Sequence, residues 1–441
     1  MHTELESLVL NHQTGDNMPL PLKLSKFPSS TVTDRPVINN TSIKNVIKQK
    51  LELYSSLKWE SDQENAFFVC DLGEVYRQHL RWKSQLPRIE PFFAVKSNPD
   101  PLVVELLASL GLGFDCASKS EIQQVLNLGV DPSRIIYANP CKQASFVRFS
   151  RQQRVAKMTF DNAEELHKIK RLYPDAELVL RILTDDSKSL CQLGLKFGAP
   201  MHTVESLLQT AKDLELNVIG VSFHVGSGCL DEHAFSDAVL RARKAFDIGE
   251  ALGFKFSLLD VGGGFPGADV QDGITFEKVA AVLRPAVDAL FPPEVRVIAE
   301  PGRYYVASAF TICTSVVGRR TVMPDPEDNE GSEPKYMYYV NDGMYGSFNC
   351  ILFDHQVVYP KVLSKNGSFL YGEKVDEAHF GCSVWGPTCD SIDCLAKEIR
   401  LPLLEDGDWL YWENMGAYTI CAASQFNGFK RSEVLYTNTY C

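Results

Sequence analysis

The chain has 441 residues, 45 % of them hydrophobic, enough to bury one large domain and a smaller one. Its formal net charge of −12 argues against nucleic acid or an anionic membrane as the main partner, and no apolar run reaches the length of a membrane span. Twelve scattered cysteines without a C-x-x-C pair read as reduced thiols, neither disulfides nor zinc ligands. The start, Met1-His2-Thr3-Glu4-Leu5-Glu6, carries acids where a signal or transit peptide is basic, so the expected compartment is the cytoplasm.

Residues 1–40 are polar, with prolines at 19, 21, 28 and 36, and read as a disordered extension. The spacing of Ile43, Val46, Ile47, Leu51 and Tyr54 predicts an amphipathic helix over 43–57. A strand over 66–70 and a helix over 72–82 follow, and segment 41–86 is expected to contribute to a β domain. Short apolar strands then recur at Phe92–Lys96, Gly113–Cys116, Ile135–Asn139, Lys157–Asp161, Leu178–Leu183, Val218–Val225, Leu258–Gly262 and Val295–Glu300. Helical faces lie between them, such as Leu102, Leu106, Leu107 and Leu110. This alternation predicts an α/β fold, a (β/α)8 TIM-like barrel over 87–304. A leucine-rich solenoid is excluded because its L-x-x-L-x-L signature is missing. From 305 to 441 the texture changes to short strands at 309–317, 335–340, 379–384, 408–411 and 418–422, which predicts a C-terminal antiparallel β domain. Residues 324–334 read as a mobile acidic loop.

Barrel enzymes place their chemistry at the C-terminal strand ends. Those ends carry Lys96, Asp115, Asn139, Asp161, Arg181, His224, the Gly262-Gly263-Gly264 run and Glu300. Lys96 closes an apolar strand, where desolvation is expected to lower its pKa and let it form a Schiff base with a carbonyl. A solvated strand-end lysine is the commoner case, and it is the other mouths that outweigh it. The three glycines after strand seven let backbone N–H groups close on an anion, and they do not fit a dinucleotide G-x-G-x-x-G. Glu300-Pro301-Gly302-Arg303 offers a carboxylate for a ring nitrogen and a guanidinium for a phosphate. His224 could stack on a flat ring, and Ser227 could donate to phosphate. Ser118 to Glu121 reads as a capping box. Together these groups suit pyridoxal 5′-phosphate. A class I aldolase would use the lysine but needs no acid for a ring nitrogen.

Several longer motifs carry a family resemblance: PFFAVKSN (91–98), GFDCASKSEI (113–122), GVSFHVGSG (220–228), LDVGGGFPG (259–267), AEPGRYYV (299–306), YVNDGMYGSFNCILFDH (339–355), WGPTCDSID (385–393) and ENMGAYT (413–419). Over residues 40 to 440 the chain resembles the eukaryotic ornithine decarboxylase family, with its alanine-racemase-like fold. The resemblance implies that Lys96 holds the cofactor covalently, Glu300 pairs with the pyridine nitrogen and His224 stacks on the ring. It implies that Ser227, Gly264, Arg303 and Tyr418 hold the phosphate, that Gly263, Pro301 and Gly302 also bind the cofactor, and that Asp115, Glu121 and Arg181 support the lysine. Phe353 and Asp354 would line the distal end of the substrate, while Cys389, as the proton donor, and Asp390 would come from the partner subunit of a homodimer. Some family members have tyrosine where this chain has Phe353.

The implied reaction is decarboxylation of L-ornithine to putrescine, the first step of polyamine synthesis. Two other readings stay open: a decarboxylase of lysine or arginine, and a non-catalytic antizyme-inhibitor-like regulator. The presence of Lys96, Asp115, Arg181, Arg303, Tyr345, Asp354 and Cys389 disfavours the second. Arg148, Arg151, Arg154 and Lys157 are spaced to form a basic helical stripe, in a region that faces antizyme in the family.

Overall fold

A computed structural model describes residues 36–56, 64–268, 273–323 and 335–440. The expected mobile loop at 324–334 and most of the expected extension lie outside these residues. Eight parallel strands close into a barrel in the order Ile89–Ala94, Gly113–Cys116, Ile135–Tyr137, Lys157–Phe160, Glu177–Arg181, Asn217–Ser222, Leu258–Asp260 and Arg296–Ala299. All eight predicted strands are present. Phe92, Ile136, Val179, Leu258 and Ile298 pack together as a compact cluster of barrel-strand residues. Close approach sets two residues here: a Cβ at Gly113 would stand 2.5 Å from the Phe92 ring, and one at Gly220 would stand 1.8 Å from the Leu258 carbonyl.

The second unit is a ten-stranded sheet built on the long strand Phe310–Val322. That strand pairs antiparallel with Phe67–Asp71, Lys335–Val340 and Trp409–Trp412. Three pairings are parallel: Lys335–Val340 with His379–Trp385, and Glu433–Thr437 with both Phe67–Asp71 and Ile38–Asn39. Ile38 and Asn39 are therefore strand residues, inside the stretch expected to be disordered. Segment 41–86 divides between the two units. Phe67–Asp71 joins the sheet, whereas helix Leu72–Gln85 packs on the barrel. Trp82 of that helix meets Phe265, Phe276 and Tyr304 at ring distances of 4.8, 5.4 and 5.2 Å, and its indole N–H donates to the Ile89 carbonyl at 2.8 Å. No helix among the described residues is long and apolar enough to cross a membrane.

Two sequence expectations fail here. Residues 418–422 are not a strand: Tyr418 takes a left-handed φ of 56° and a 3-10 turn follows at Ile420–Ala422. The Tyr418 N–H donates to the Ser97 carbonyl at 2.9 Å, so this segment closes on the barrel mouth and not on the sheet. The basic residues also do not form one helical stripe. Helix Ala144–Gln152 ends before Arg154, which has φ 60°, and Lys157 lies in a barrel strand with its ammonium 3.3 Å from Glu177.

Helix Leu72–Gln85 carries a pH-sensitive contact. Burial, aided by the nearby Lys83 charge, lowers the pKa of His79 from 6.5 to about 4, and its Nδ1 lies 3.2 Å from the Tyr305 hydroxyl. Because the folded state disfavours the proton, this stabilisation is complete above pH 6.5 and is lost as the pH falls toward 4. Denaturation midpoints measured across that window are expected to fall with pH less steeply in His79→Gln than in wild type. Parallel slopes would show that His79 does not carry the effect.

Candidate active site

The first barrel strand ends in a 3-10 turn, Val95–Ser97, which aims Lys96 into the barrel mouth. The turn is tied to both units. The Ala94 N–H donates to the Pro301 carbonyl at 3.1 Å, and Asn98 Nδ2 donates to the Gly416 carbonyl at 2.8 Å. Lys96 Nζ donates to Oδ2 of Asp115, which is fully buried at the end of the second strand. The other oxygen of Asp115 has no protein partner.

This arrangement corrects the expected lowering of the Lys96 pKa. Burial does act to lower it, but the charges of Asp115, Glu300 and Tyr418 and the Asp115 hydrogen bond outweigh burial and raise it. Lys96 is thus an ammonium in this site and must give up a proton before it attacks a carbonyl.

Glu300 follows strand eight, its N–H donating to the Gly262 carbonyl at 2.7 Å. Burial, and then the neighbouring Asp260 and Asp115, push its carboxyl well above the usual range. Asp260 is raised to about 7, chiefly by burial, while its Oδ1 accepts from the Gly262 N–H at 2.9 Å. The two form a buried carboxyl pair. His224 stays neutral because burial and the Arg181 and Lys96 charges lower its pKa. Its Nδ1 accepts the Gly226 N–H at 3.0 Å, so the proton sits on Nε2. Nε2 lies 2.8 Å from where a Cβ on Gly263 would be, which requires glycine there.

The segment expected to cradle an anion is backbone shaped by glycine. Gly264 has φ 103°, and a Cβ on it would stand 2.7 Å from the Gly226 carbonyl. Arg303 Nη2 donates to Ser227 Oγ at 3.0 Å, and its guanidinium lies 5.1 Å from the centre of the Tyr418 ring. Lys96, His224 and Glu300 line one open cavity of about 320 Å³ together with Ser227, Gly263, Gly264, Gly302, Arg303 and Tyr418.

The profile of the pyridoxal-dependent decarboxylase pyridoxal-binding domain matches residues 72–307, more than half of the chain. The chain belongs to the pyridoxal-dependent decarboxylase family. This decarboxylase is 52 % identical over 386 residues to the ornithine decarboxylase of Schizosaccharomyces pombe, covering 87 % of the chain and 86 % of that relative. It is also 52 % identical over 383 residues to antizyme inhibitor 2 of Xenopus laevis, covering 86 % and 82 % of the two chains. Among solved structures it resembles the Paramecium bursaria Chlorella virus arginine decarboxylase, with a TM-score of 0.81 and 33 % identity over 89 % of this chain and 100 % of that one.

The decarboxylase's residues fit pyridoxal phosphate. An amine, the Glu300 carboxyl, a neutral imidazole and a glycine run with its arginine share one cavity, and Asp115 behind the lysine keeps one oxygen without a partner. Four of the expected cofactor residues stand outside this lining: Asp115, which bonds Lys96, and Glu121, Arg181 and Pro301. Glu121 caps its helix: Ser118 Oγ accepts the Glu121 N–H at 3.3 Å, and Glu121 Oε2 accepts the Ala117 N–H at 2.6 Å. Arg181 lies over Phe197 at 5.5 Å, and Pro301 contributes only its carbonyl. Asp354 is buried beside the cradle, with Oδ1 2.6 Å from Arg303 Nη2, whereas Phe353 next to it is 65 % exposed. Cys389 and Asp390 are exposed on the turn between His379–Trp385 and Cys394–Pro402 and do not line the cavity of their own chain.

The residue that shapes this turn, Asp393, received no role from the sequence. It is buried, and its carboxylate accepts the Met344 N–H at 2.6 Å, the Thr388 N–H at 3.0 Å and the Thr388 hydroxyl at 2.7 Å. A Cβ on Gly386 would stand 2.2 Å from its Oδ1. The only sequence signal was its position at the end of the WGPTCDSID motif. Asp260 was likewise quoted only as part of its motif.

Proposed function

We propose that this decarboxylase converts L-ornithine to putrescine and CO2, taking up one proton. The observation that carries the substrate choice is Asp354, a buried carboxylate beside the phosphate cradle with one oxygen unpartnered, which suits a cationic distal amine. The 52 % identity to a named ornithine decarboxylase supports ornithine over lysine or arginine.

Pyridoxal phosphate supplies a carbonyl for the lysine and a ring that accepts the electrons left when CO2 departs. The protein does the rest. Asp115 fixes Lys96 Nζ through Oδ2, the oxygen placed to take the ammonium proton. Glu300, backed by Asp260, holds a proton at the ring nitrogen and so deepens the electron sink. The neutral His224 covers a ring face without adding charge. Ser227, Gly264, Arg303 and Tyr418 hold the phosphate.

Asp354 anchors the δ-ammonium, joined by Asp390 of the partner subunit. Cys389 of the partner subunit returns a proton to the α-carbon. The protein is, in this proposal, a cytoplasmic homodimer in which these two residues, which lie outside the cavity of their own chain, complete the cavity of the partner. Arg148 and Arg151 leave antizyme docking as a proposal for that helix face.

A non-catalytic regulator like antizyme inhibitor 2 is the second reading, favoured by the 52 % identity to that protein. Incubation with ornithine, lysine and arginine in turn, reading CO2 and released amine, separates these readings. Putrescine and CO2 in equal amounts from ornithine are expected. Faster release from lysine or arginine would replace the substrate, and no CO2 from any of the three by cofactor-loaded protein would favour the regulator.

A further inference from the structure

Arg303 belongs to the anion cradle and Asp354 to the distal-amine end, yet the two are bonded to each other. Arg303 Nη2 donates to Ser227 Oγ at 3.0 Å and to Asp354 Oδ1 at 2.6 Å. Arg303 opens the short helix after strand eight, whereas Asp354 caps the helix Cys350–Phe353, so the bond joins segments 51 residues apart. Their side chains are 19 % and 7 % exposed, which leaves little water to screen them. Asp354 Oδ2 has no hydrogen-bond partner, and the Cys191 thiol lies 3.8 Å from Oδ1.

We propose that the Arg303–Asp354 ion pair couples the two subsites, so that phosphate in the cradle strengthens the binding of a diamine at Asp354. This rests on the substrate reading above. With the cradle free of anion, the carboxylate is neutralised by Arg303, and an incoming ammonium must compete with it. A phosphate dianion on Arg303 absorbs that positive charge and leaves the buried carboxylate to attract the ammonium. The series phosphate, guanidinium, carboxylate, ammonium then alternates in sign. Thermodynamic linkage makes the effect reciprocal, because each ligand tightens the other by the same factor.

The test uses the full-length protein freed of cofactor, titrated with putrescine by calorimetry with and without saturating inorganic phosphate, ionic strength being held constant with chloride. The dissociation constant for putrescine is expected to fall about tenfold with phosphate, within the usual range of coupling between sites. Putrescine should tighten phosphate equally. In Asp354→Asn, phosphate is expected to bind more tightly than in wild type, since Arg303 no longer shares its charge, and the coupling should vanish. Equal putrescine affinity in both buffers, or full coupling in Asp354→Asn, would overturn the proposal while leaving the substrate reading intact. No putrescine binding in either buffer would overturn the substrate reading and the coupling with it.

Discussion

Lys96→Ala is expected to lower decarboxylation by about 10³- to 10⁴-fold, measured as CO2 released from ornithine, with no protein label after borohydride reduction of the cofactor-loaded enzyme. Among the described residues Lys96 is the only lysine lining the cavity, so none of them offers a second amine to take over. The same change strands Asp115. That carboxylate is fully buried, one oxygen already lacks a partner, and the other bonds only Lys96 among its protein hydrogen bonds. Removing the ammonium should therefore also destabilise the unloaded protein, by about 1–3 kcal/mol given that the open cavity admits water. Adding Asp115→Asn to Lys96→Ala removes the stranded charge, so the double variant is expected to recover stability without recovering turnover. A label retained in Lys96→Ala, or turnover within tenfold of wild type, would end the account of the site.

Asp393→Ala should have the second largest effect, at a residue that touches neither the cavity nor the substrate. Its carboxylate satisfies three donors that hold the Cys389 turn: the N–H groups of Met344 and Thr388 and the Thr388 hydroxyl. Leaving these donors unmet costs about 2–4 kcal/mol in total, seen as a lower denaturation midpoint. The turn is then free to displace Cys389 and Asp390, and turnover is expected to drop about 10²-fold, the scale of losing one positioned proton donor. Cofactor absorbance should persist, because the cradle is built from other elements. Cys389→Ala is expected to divert turnover toward transamination, and Asp393→Ala should shift products the same way. Wild-type putrescine yield in Asp393→Ala would remove the turn from the mechanism.

The eight barrel strands were legible because a parallel strand buried on both faces must be almost wholly apolar, and such runs are short, regular and bounded by turn residues. Their polar ends were legible for the same reason, since a charged residue closing an apolar run stands out. The β domain was read less well. Strand Cys394–Pro402 carries Lys397, Glu398 and Arg400 on its exposed middle, so alternation is masked, and Glu433–Thr437 finds its place only by pairing with a strand over 360 positions earlier. Tyr418 was expected in a strand because aromatic and β-branched neighbours favour one, but a backbone bond to Ser97 draws it to the barrel mouth.

The amino-acid order alone determined the barrel, the position of the lysine at its first mouth, the glycine cradle and the family to which these belong. Each is a local pattern, written in consecutive residues whose burial or backbone freedom their types impose. Only the tertiary structure decided the charge state of Lys96, the bond between Arg303 and Asp354, the pairing of Asp260 with Glu300 and the separation of Cys389 from the cavity of its own chain. Those depend on electrostatic neighbours from distant segments, and a charge feels what is near it in space whatever its distance along the chain.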